Sequence, residues 1–244
     1  MKTIALGITQ GLTEFLPISS SGHLYIIKRL LSFSQNLLPF FVLLHLATLL
    51  AVVIFLRRDI LSVLSKRRIL IQLGITTLVT AIIGLAINTF LVGFFENKLW
   101  IGLLLIINGL ILLSMKKVFG QRNYDTVTTK ESLFIGLLQG LAIFPGISRS
   151  GITIVGLIGR GFKPKEAFTT SFLMMIPVTL GAFLLKMKEL PDLNMSILAA
   201  SGGFVAAFAS GFLALKIVKK VLKSEKFAIF GYYCILVAIL SIIV

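Results

Sequence analysis

The sequence predicts an all-α integral membrane protein with six transmembrane helices and two re-entrant helix-loop-helix hairpins, arranged as an inverted-topology repeat. Hydrophobic residues make up 57% of the chain, and the mean hydropathy of +1.02 lies far above that of a soluble domain. The phrase Gln-Gly-Leu-x-x-Phe begins at Gln10 and again at Gln139, and a proline and an Ile-Ser-x-Ser-Gly segment follow each copy. Because this spacing is about half of the 244 residues, we expect a single membrane domain, 1–244, built from repeats of about 1–115 and 131–244.

Six apolar runs are long enough to cross the hydrocarbon core of a bilayer, which needs about 20 residues of helix. The predicted spans are 38–56, 69–94, 99–115, 167–186, 195–215 and 227–244. Two further apolar stretches, 1–33 and 131–158, each contain a proline followed by serine and glycine, residues that interrupt a helix. Broken backbone at membrane depth survives only where protein or a wet cavity satisfies it. Each stretch is therefore predicted to be a re-entrant hairpin.

The distribution of basic residues predicts the orientation of these segments. Although the net charge is +15, the basic residues cluster between apolar runs, as they do in cytoplasmic loops, so a nucleic-acid partner is excluded. The predicted cytoplasmic loops, which hold 17 of the 24 lysines and arginines, are 57–68, 116–130, 159–166 and 216–226. Each half then has one hairpin and three spans, so the second half is inverted and both termini face outward.

A second repeated pattern, Gly-x-x-x-Gly, lies on the first helix of each predicted hairpin. It occurs at Gly7 and Gly11 and again at Gly136 and Gly140. Small residues at this spacing let helix backbones approach closely within a membrane. We expect these glycines to pack the two hairpin helices closely, which is a structural role.

One carboxylate and one guanidinium lie inside apolar segments and mark the candidate site. Glu14 is the only one of nine acidic residues within an apolar stretch, where burial costs about 2.5–3.5 kcal/mol. Arg149 lies in the hairpin of the other half. One interpretation is a structural ion pair between the hairpins. The serines, glycines and histidine around both residues favour the other interpretation, a functional site shared by the two halves.

Gln10 and Glu14 are four residues apart and share one face of a helix. Two oxygen ligands on one face suit a hard divalent cation such as Mg²⁺ or Ca²⁺. The sequence therefore predicts a divalent cation as cofactor, with Gln10 and Glu14 as its ligands, although a single carboxylate makes a small ligand set.

Serine and glycine clusters in both breaks predict two facing cradles for an anion. Free backbone N–H groups at a helix start attract phosphate together with the helix dipole, and arginine grips phosphate bidentately. We expect the helix of the first break to run from about His23, and Arg149 to lie between the cradles. The predicted substrate-binding residues are Ser19, Ser21, Gly22, Ser148, Ser150 and Gly151. Ordinary helix capping is the alternative interpretation of Ser21 and Ser150.

Ser20 and His23 are three residues apart and can approach each other on one helical turn. A histidine beside a hydroxyl can act as a base, as an acid or as the nucleophile itself. The other histidine, His45, lies in the middle of an apolar span and is predicted to be a hydrogen-bonded packing residue.

These residues closely resemble the undecaprenyl-diphosphate phosphatase family, the bacitracin-resistance membrane phosphatases. The resemblance covers essentially the whole chain and rests on two motifs. They are Gln10-Gly11-Leu12-Thr13-Glu14-Phe15-Leu16-Pro17-Ile18-Ser19-Ser20-Ser21-Gly22-His23 and Pro145-Gly146-Ile147-Ser148-Arg149-Ser150-Gly151. The resemblance implies hydrolysis of a polyprenyl diphosphate lipid to the monophosphate and phosphate, which recycles the carrier of cell-wall glycans and confers bacitracin resistance. The family often has glutamate where this chain has Gln10.

The resemblance implies that Glu14, Ser20, His23 and Arg149 are the catalytic residues. Either Ser20 or His23 can attack phosphorus in such a site; we favour Ser20, with His23 relaying the proton. Glu14 would then hold either His23 or a divalent cation, and Arg149 would neutralise charge on the phosphoryl group. The rival interpretation is a polyprenyl-phosphate transporter or flippase, which needs anion donors but no nucleophile and base.

The membrane location follows from the same two lines of reasoning. The resemblance implies the cytoplasmic (inner) membrane, and the charge distribution places the active site on its outer side. The sequence leaves the oligomeric state open, a homodimer included.

Overall fold

A computed structural model of the chain describes residues 1–32, 36–90, 97–115, 120–224 and 226–243. Within these ranges the chain is helical, with one isolated bridge and no named strand, which confirms the all-α prediction. The helices in chain order are α1 (Lys2–Phe15), α2 (Ser20–Leu30), α3 (Leu38–Phe55), α4 (Arg57–Leu64), α5 (Arg67–Phe90), α6 (Lys98–Leu113), α7 (Thr129–Leu141), α8 (Arg149–Gly159), α9 (Pro164–Lys186), α10 (Ile197–Lys223) and α11 (Ile229–Ile243). The predicted hairpin, span and loop residues that lie outside the described residues are 33, 91–94, 116–119, 225 and 244.

Among the described residues, four helices are long and apolar enough to cross a membrane. They are Leu38–Phe55 (α3), Arg67–Ile87 (within α5), Pro164–Asp192 (α9 and the residues that directly follow it) and Ile197–Lys223 (α10). They coincide with four of the predicted spans. The other two predicted spans fall on α6 and α11, shorter apolar helices of 16 and 15 residues. A helix of that length extends about 24 Å, less than the hydrocarbon thickness of about 30 Å. The chain is therefore a multi-pass membrane protein, and the total of six spans stays a prediction.

Both predicted helix breaks are present. α1 ends at Phe15 and α2 begins at Ser20, while α7 ends at Leu141 and α8 begins at Arg149. In the second break Gly146 has a φ of +112°, a left-handed conformation that glycine adopts without steric cost. Each break therefore sets the start of one helix beside the end of another, inside an apolar stretch.

The predicted loop 57–68 contains a short helix, α4, that the sequence pattern did not indicate. α4 has three charged residues in its first turn and buries Val63, while Leu61 and Leu64 stay exposed. A helix with charged residues and exposed leucines is typical of a segment that lies in the membrane interface. Eight residues are too few to give a clear helical period in the sequence, which is why the helix was missed.

The expectation that the Gly-x-x-x-Gly pairs pack the two hairpin helices against each other is wrong. Gly7 of α1 faces the backbone of Gly203 on α10, and α1 packs along α10. Gly140 of α7 faces α5, where an added Cβ would lie 2.6 Å from Ile83 Cδ1. The small residues allow the close approach that was predicted, but the partner in each case is a long helix.

Helices of the first half of the chain pack against helices of the second half. α1 packs on α10 and α7 packs on α5, while α3 packs on α9 and α6 packs on α11. If α1–α6 and α7–α11 are two copies of one unit, each of these contacts joins a helix of one copy to a helix of the other. An inverted repeat with a two-fold axis gives this arrangement. The orientation of either unit in a membrane is not fixed by these contacts, so the inverted topology stays a prediction.

An aromatic cluster in the largest apolar core supports the end of α1. The rings of Phe15 and Phe172 meet edge to face with centroids 5.5 Å apart, and Phe168 meets Phe172 at 4.7 Å. All three side chains are buried. Because Phe15 directly follows Glu14, this packing fixes the position of the buried carboxylate against α9.

A polar clasp joins the segment before α7 to the segment after α8. Arg122 forms an ion pair with Glu131 and donates to the carbonyl oxygen of Arg160 at 3.1 Å, and its guanidinium lies 4.5 Å from the centroid of the Phe162 ring. Burial raises the pKa of Glu131, but the hydrogen bonds from Arg122 and Thr128 outweigh burial and hold this pKa below its ordinary value. The clasp therefore ties together the two connections that flank the second hairpin.

Candidate functional site

The start of α2 differs from the expected position and defines the first half of the site. α2 begins at Ser20, three residues before His23, because the Ser19 side chain caps the helix and accepts the Gly22 N–H at 3.4 Å. Ser19 has a φ of +69°, which is uncommon for a residue other than glycine. The Ser21 hydroxyl lies 3.2 Å from that of Ser19 and does not cap the helix.

α8 begins in the same way in the second half. Ser148 is its N-cap and accepts the Gly151 N–H at 3.2 Å, so Arg149 is the first helical residue. The Ser150 hydroxyl lies 3.1 Å from that of Ser148. Ser19 and Ser148 are therefore the capping residues of the two helices. The alternative interpretation, that Ser150 is a helix cap, is wrong.

The two helix starts provide backbone donors for an anion. The first intrahelical hydrogen bond is donated by the N–H of His23 in α2 and of Ile152 in α8. The N–H groups one residue earlier, of Gly22 and Gly151, donate to the capping serine side chains. The N–H groups that precede both are those of Ser20, Ser21, Arg149 and Ser150. Each helix start thus has two N–H groups and the positive end of its dipole directed into the break.

The two breaks are joined to each other by hydrogen bonds. The Gly146 N–H donates to the Ser19 hydroxyl at 3.1 Å. Asn108 of α6 donates to the carbonyl oxygen of Pro17 at 3.0 Å and accepts the Ser148 N–H at 2.8 Å. Asn108 is completely buried. Because it bonds to one break on each side, it fixes the position of one helix start relative to the other.

Glu14 is the centre of the site. Its side chain is only 6% exposed, and its Oε1 forms an ion pair with Arg149. Its Oε2 accepts the Ser20 hydroxyl at 2.6 Å and the Gln10 amide at 3.1 Å. His45 Nε2 lies 3.8 Å from the same oxygen. The structure thus brings together a carboxylate and a hydroxyl from the first half and a guanidinium from the second.

The ion pair between Glu14 and Arg149 was one interpretation of these residues, and it is present. Taken alone, it does not account for the other polar groups at this carboxylate. A buried ion pair by itself is weak evidence of a stabilising role, because desolvation offsets much of the attraction. The hydroxyl of Ser20, which donates to this carboxylate, indicates an arrangement for proton transfer, and the ring of His45 faces the same oxygen.

His23 does not hydrogen-bond to Ser20, in contrast to what the sequence suggested. Its Nδ1 lies 2.8 Å from the Ser19 carbonyl oxygen, and its Nε2 lies 2.9 Å from the Tyr233 hydroxyl. The carbonyl oxygen only accepts, so Nδ1 carries the proton and Nε2 accepts from Tyr233. The two rings also stack with centroids 5.6 Å apart. His23 therefore supports the backbone beside Ser20, and its side chain is directed toward α11.

Gln10 and Glu14 share a helix face as predicted, but their arrangement does not fit a resident cation. Gln10 directs its amide nitrogen at Glu14, and both carboxylate oxygens already accept hydrogen bonds, one of them from Arg149. Gln10 Oε1 is buried without a hydrogen-bond partner. Within the described ranges, no three His, Cys, Asp or Glu side chains are grouped so as to hold a metal. A cation at Glu14 would have to displace Arg149.

Sequence reasoning missed three residues that the structure places at or beside the site. His45 was predicted to pack, yet its side chain is 41% exposed and its Nε2 faces Glu14. Asn108 was not singled out, although a buried amide in an apolar helix is itself a signal of a polar contact between helices. Tyr233 carries no such signal, because tyrosine is common in membrane helices near an interface.

Comparison with known proteins covers almost the whole chain. Residues 3–240 match the family described as bacitracin resistance protein BacA. The undecaprenyl-diphosphatase of Thermosipho africanus is 40% identical over an alignment of 252 residues that covers 100% of both chains. The undecaprenyl-diphosphatase of Carboxydothermus hydrogenoformans is 38% identical over 240 residues, 95% of this chain and 92% of its own. That of Methanococcus maripaludis (strain C6) is 36% identical over 247 residues, 97% of this chain and 96% of its own.

Proposed function

We propose that this chain, which belongs to the bacitracin resistance protein BacA family, hydrolyses a polyprenyl diphosphate at the cluster of Glu14, Ser20 and Arg149. The chain is a membrane-embedded enzyme of the undecaprenyl-diphosphatase family. Its products are the polyprenyl monophosphate and inorganic phosphate. This reaction recycles the lipid carrier of cell-wall glycans, and removal of the diphosphate accounts for resistance to bacitracin.

The observation that carries the proposal is the hydrogen bond of 2.6 Å from the Ser20 hydroxyl to Glu14. A hydroxyl aligned on a carboxylate is a nucleophile with its base in place, and the helix N-termini and Arg149 beside it suit a phosphoryl group. A lipid-phosphate transporter needs the anion donors but has no use for the hydroxyl and base. The flippase alternative is therefore not favoured, and the relatives are named diphosphatases.

In the first half-reaction Ser20 Oγ attacks the terminal phosphorus of the diphosphate. The Oγ–P bond forms while the bond from that phosphorus to the bridging oxygen breaks, and the polyprenyl monophosphate leaves. The hydroxyl proton passes to Glu14 Oε2, its hydrogen-bond partner. The enzyme then holds a phosphoserine and a neutral Glu14.

In the second half-reaction a water molecule attacks the phosphoserine on phosphorus. The new P–O bond forms, the bond from phosphorus to Ser20 Oγ breaks, and Glu14 returns its proton to Oγ. Both hydrogens of the water leave on the phosphate, as dihydrogen phosphate. Ser20 and Glu14 are then in their starting states, and the cycle can repeat.

Arg149 stabilises the charge on the transferring phosphoryl group in this scheme. It is the first residue of α8, so its side chain and the N–H groups of α2 and α8 converge on the break. A planar fork of donors matches phosphoryl oxygens better than a point charge does. Arg149 forms an ion pair with Glu14 in the structure. To bind substrate, its guanidinium must either bond to Glu14 and a phosphoryl oxygen together or leave Glu14.

The geometry supports Ser20 over His23 as the nucleophile. Both ring nitrogens of His23 are within hydrogen-bond distance of other groups, and the Ser20 hydroxyl donates to Glu14. His23 then acts as a positioning residue, because its bond to the Ser19 carbonyl oxygen holds the backbone next to Ser20. Glu14, not His23, takes the proton.

The membrane arrangement completes the proposal. We place the chain in the cytoplasmic (inner) membrane with six spans, two re-entrant hairpins and inverted halves, and with the site open to the outer side. The support is the concentration of basic residues in the predicted cytoplasmic loops and the exchange of helix partners between the halves. A homodimer stays a prediction.

A divalent cation enters this scheme as part of the substrate. Since the residues at Glu14 do not fit a resident cation, we expect Mg²⁺ or Ca²⁺ to arrive bound to the diphosphate oxygens. Activity should then require a divalent cation and be suppressed by chelation. Gln10→Ala should leave the cation concentration for half-maximal activity unchanged, whereas a large increase would make Gln10 a ligand as first predicted.

The direct test is phosphate release from farnesyl diphosphate by protein purified in detergent. Wild type should release phosphate, Ser20→Ala should not, and Ser201→Ala, at an exposed position on α10, should match wild type. Enzyme quenched during turnover of substrate labelled in the terminal phosphate should carry an acid-stable phosphoserine. An acid-labile, base-stable label would identify His23 as the nucleophile, and a wild type without phosphate release would refute the proposed hydrolysis.

A further inference from the structure

His45 contacts the centre of the site, although the proposed reaction gives it no role. Its Nε2 lies 3.8 Å from Glu14 Oε2, the oxygen that also accepts the Ser20 hydroxyl. Its Nδ1 lies 2.7 Å from the carbonyl oxygen of Phe41, one turn earlier in α3. The ring is thus held at one nitrogen by its own helix and directed at the carboxylate with the other.

A packing role does not explain this placement. A packing histidine buries its ring, whereas the His45 side chain is 41% exposed and the Glu14 side chain is 6% exposed. α3 itself is well anchored without the ring, because Phe40 and Leu44 are completely buried in a cluster with residues of α1, α2 and α10. The fold therefore does not need an imidazole at this position.

We propose that His45 is a positioning residue that holds Glu14 in place while Arg149 engages the phosphoryl group. The inference rests on the proposed hydrolysis and extends it by one residue. In the structure Arg149 neutralises Glu14. When the guanidinium turns to the substrate, a buried carboxylate keeps its orientation toward Ser20 only if another group bonds to it.

The chemistry of the ring suits this task. The Phe41 carbonyl oxygen can only accept, so His45 Nδ1 donates its proton there and Nε2 is left to face Glu14. Nε2 bonds to the ionised carboxylate when it also carries a proton, so the ring acts as an imidazolium whose Nε2–H donates to Oε2, while Glu14 stays free to take the Ser20 proton. The separation of 3.8 Å is longer than a hydrogen bond, as is common for catalytic contacts before substrate binds.

Three substitutions separate this role from packing. In His45→Gln the amide reaches the position of Nε2 and can still bond to Glu14. In His45→Asn the shorter amide mimics only Nδ1 and bonds only to the Phe41 carbonyl oxygen. His45→Leu keeps bulk and removes both. Leu50→Gln, at a residue of α3 that is 40% exposed, is the matched control for a polar substitution.

The measurement is steady-state phosphate release from farnesyl diphosphate, with kcat and KM determined separately. We expect His45→Leu and His45→Asn to lower kcat about ten- to a hundredfold, the usual loss when a group that orients a reacting residue is removed. KM should stay within about threefold, because His45 does not hold substrate. His45→Gln should recover kcat to within a few-fold of wild type, and Leu50→Gln should match wild type.

The inference is refuted if His45→Leu keeps the wild-type kcat, if KM alone changes, or if His45→Asn is rescued while His45→Gln is not. Should His45→Leu aggregate in detergent, the Gln and Asn variants decide the question, since both keep a polar side chain at this position of α3. A wild type that releases no phosphate refutes the proposed hydrolysis, whereas an active wild type with the wrong variant pattern refutes only the role of His45.

Discussion

Arg149→Lys should lose nearly as much activity as complete removal of the side chain. Arg149 is the first residue of α8, with its side chain 17% exposed and paired with Glu14. Lysine keeps one positive charge at this position but offers a compact, strongly hydrated ammonium in place of a planar fork. It can therefore still neutralise Glu14 in the free enzyme, yet it cannot match several phosphoryl oxygens at once.

Substitution of Arg149 can lower both the folding stability and the rate of catalysis, and the two losses differ between the Ala and Lys variants. Arg149→Ala would leave Glu14 as an uncompensated buried charge, which costs about 3–5 kcal/mol, a large part of a typical stability of about 5–15 kcal/mol. Arg149→Lys avoids that penalty, so the folded protein can be assayed. Loss of one donor set in the transition state costs about 2.7–4 kcal/mol. This corresponds to a decrease in kcat of about 10²–10³.

The assay is phosphate release from farnesyl diphosphate across a range of concentrations, so that kcat and KM separate. The substitution should lower kcat if Arg149 binds the phosphoryl group more strongly in the transition state than in the ground state, and should raise KM if Arg149 only binds substrate. Arg160→Lys, at the C-terminal cap of the same helix, is the matched control and should match wild type. An Arg149→Lys variant within a few-fold of wild type would mean that the helix N-termini carry phosphate recognition and that Arg149 supplies only a diffuse field.

Three further predictions test the base, the orientation and the packing. Glu14→Gln should lower turnover at least a hundredfold while substrate KM changes little; near-normal phosphate release would remove Glu14 from the mechanism. Ser21→Cys in a Cys234→Ala background should react with an impermeant maleimide from the outer side, and labelling only from the cytoplasmic side would overturn the proposed topology. Gly140→Leu should destabilise the protein by about 1–3 kcal/mol through overpacking against α5, measured as a lower melting temperature. Gly181→Leu, where an added Cβ meets nothing within 4 Å, is its control; equal melting temperatures for the two would refute close packing at Gly140.

The features that depend on local chemistry could be predicted from the sequence. Pro17 and Gly146 interrupt their helices because proline lacks a donor and glycine accepts a left-handed conformation. Glu14 and Arg149 could be paired because burial of an isolated charge is costly and both lie in the interior of an apolar hairpin, away from its charged ends. Such arguments need only the identity of a residue and the polarity of its surroundings.

The features that depend on tertiary neighbours could not be predicted. A spacing of three residues allowed His23 to reach Ser20, but its ring bonds to Ser19 and Tyr233, and Tyr233 is 210 residues away in the chain. In the same way Gly140 indicates a close helix contact without identifying α5 as the partner. His45 looked like a packing residue because nothing in the sequence places α3 beside Glu14.

The differences between the two halves explain why the site needs both. At the position of Glu14 the second half has Ile143, and at the position of Ser20 it has Arg149. A second carboxylate in place of Ile143 would add another buried charge near the same break and would require its own arginine. The first half alone would expose an unpaired carboxylate, and the second half alone would hold an arginine without its partner. Neither half can then form the site, and Asn108, which bonds to both breaks, couples the position of the nucleophile to that of the phosphate-binding helix.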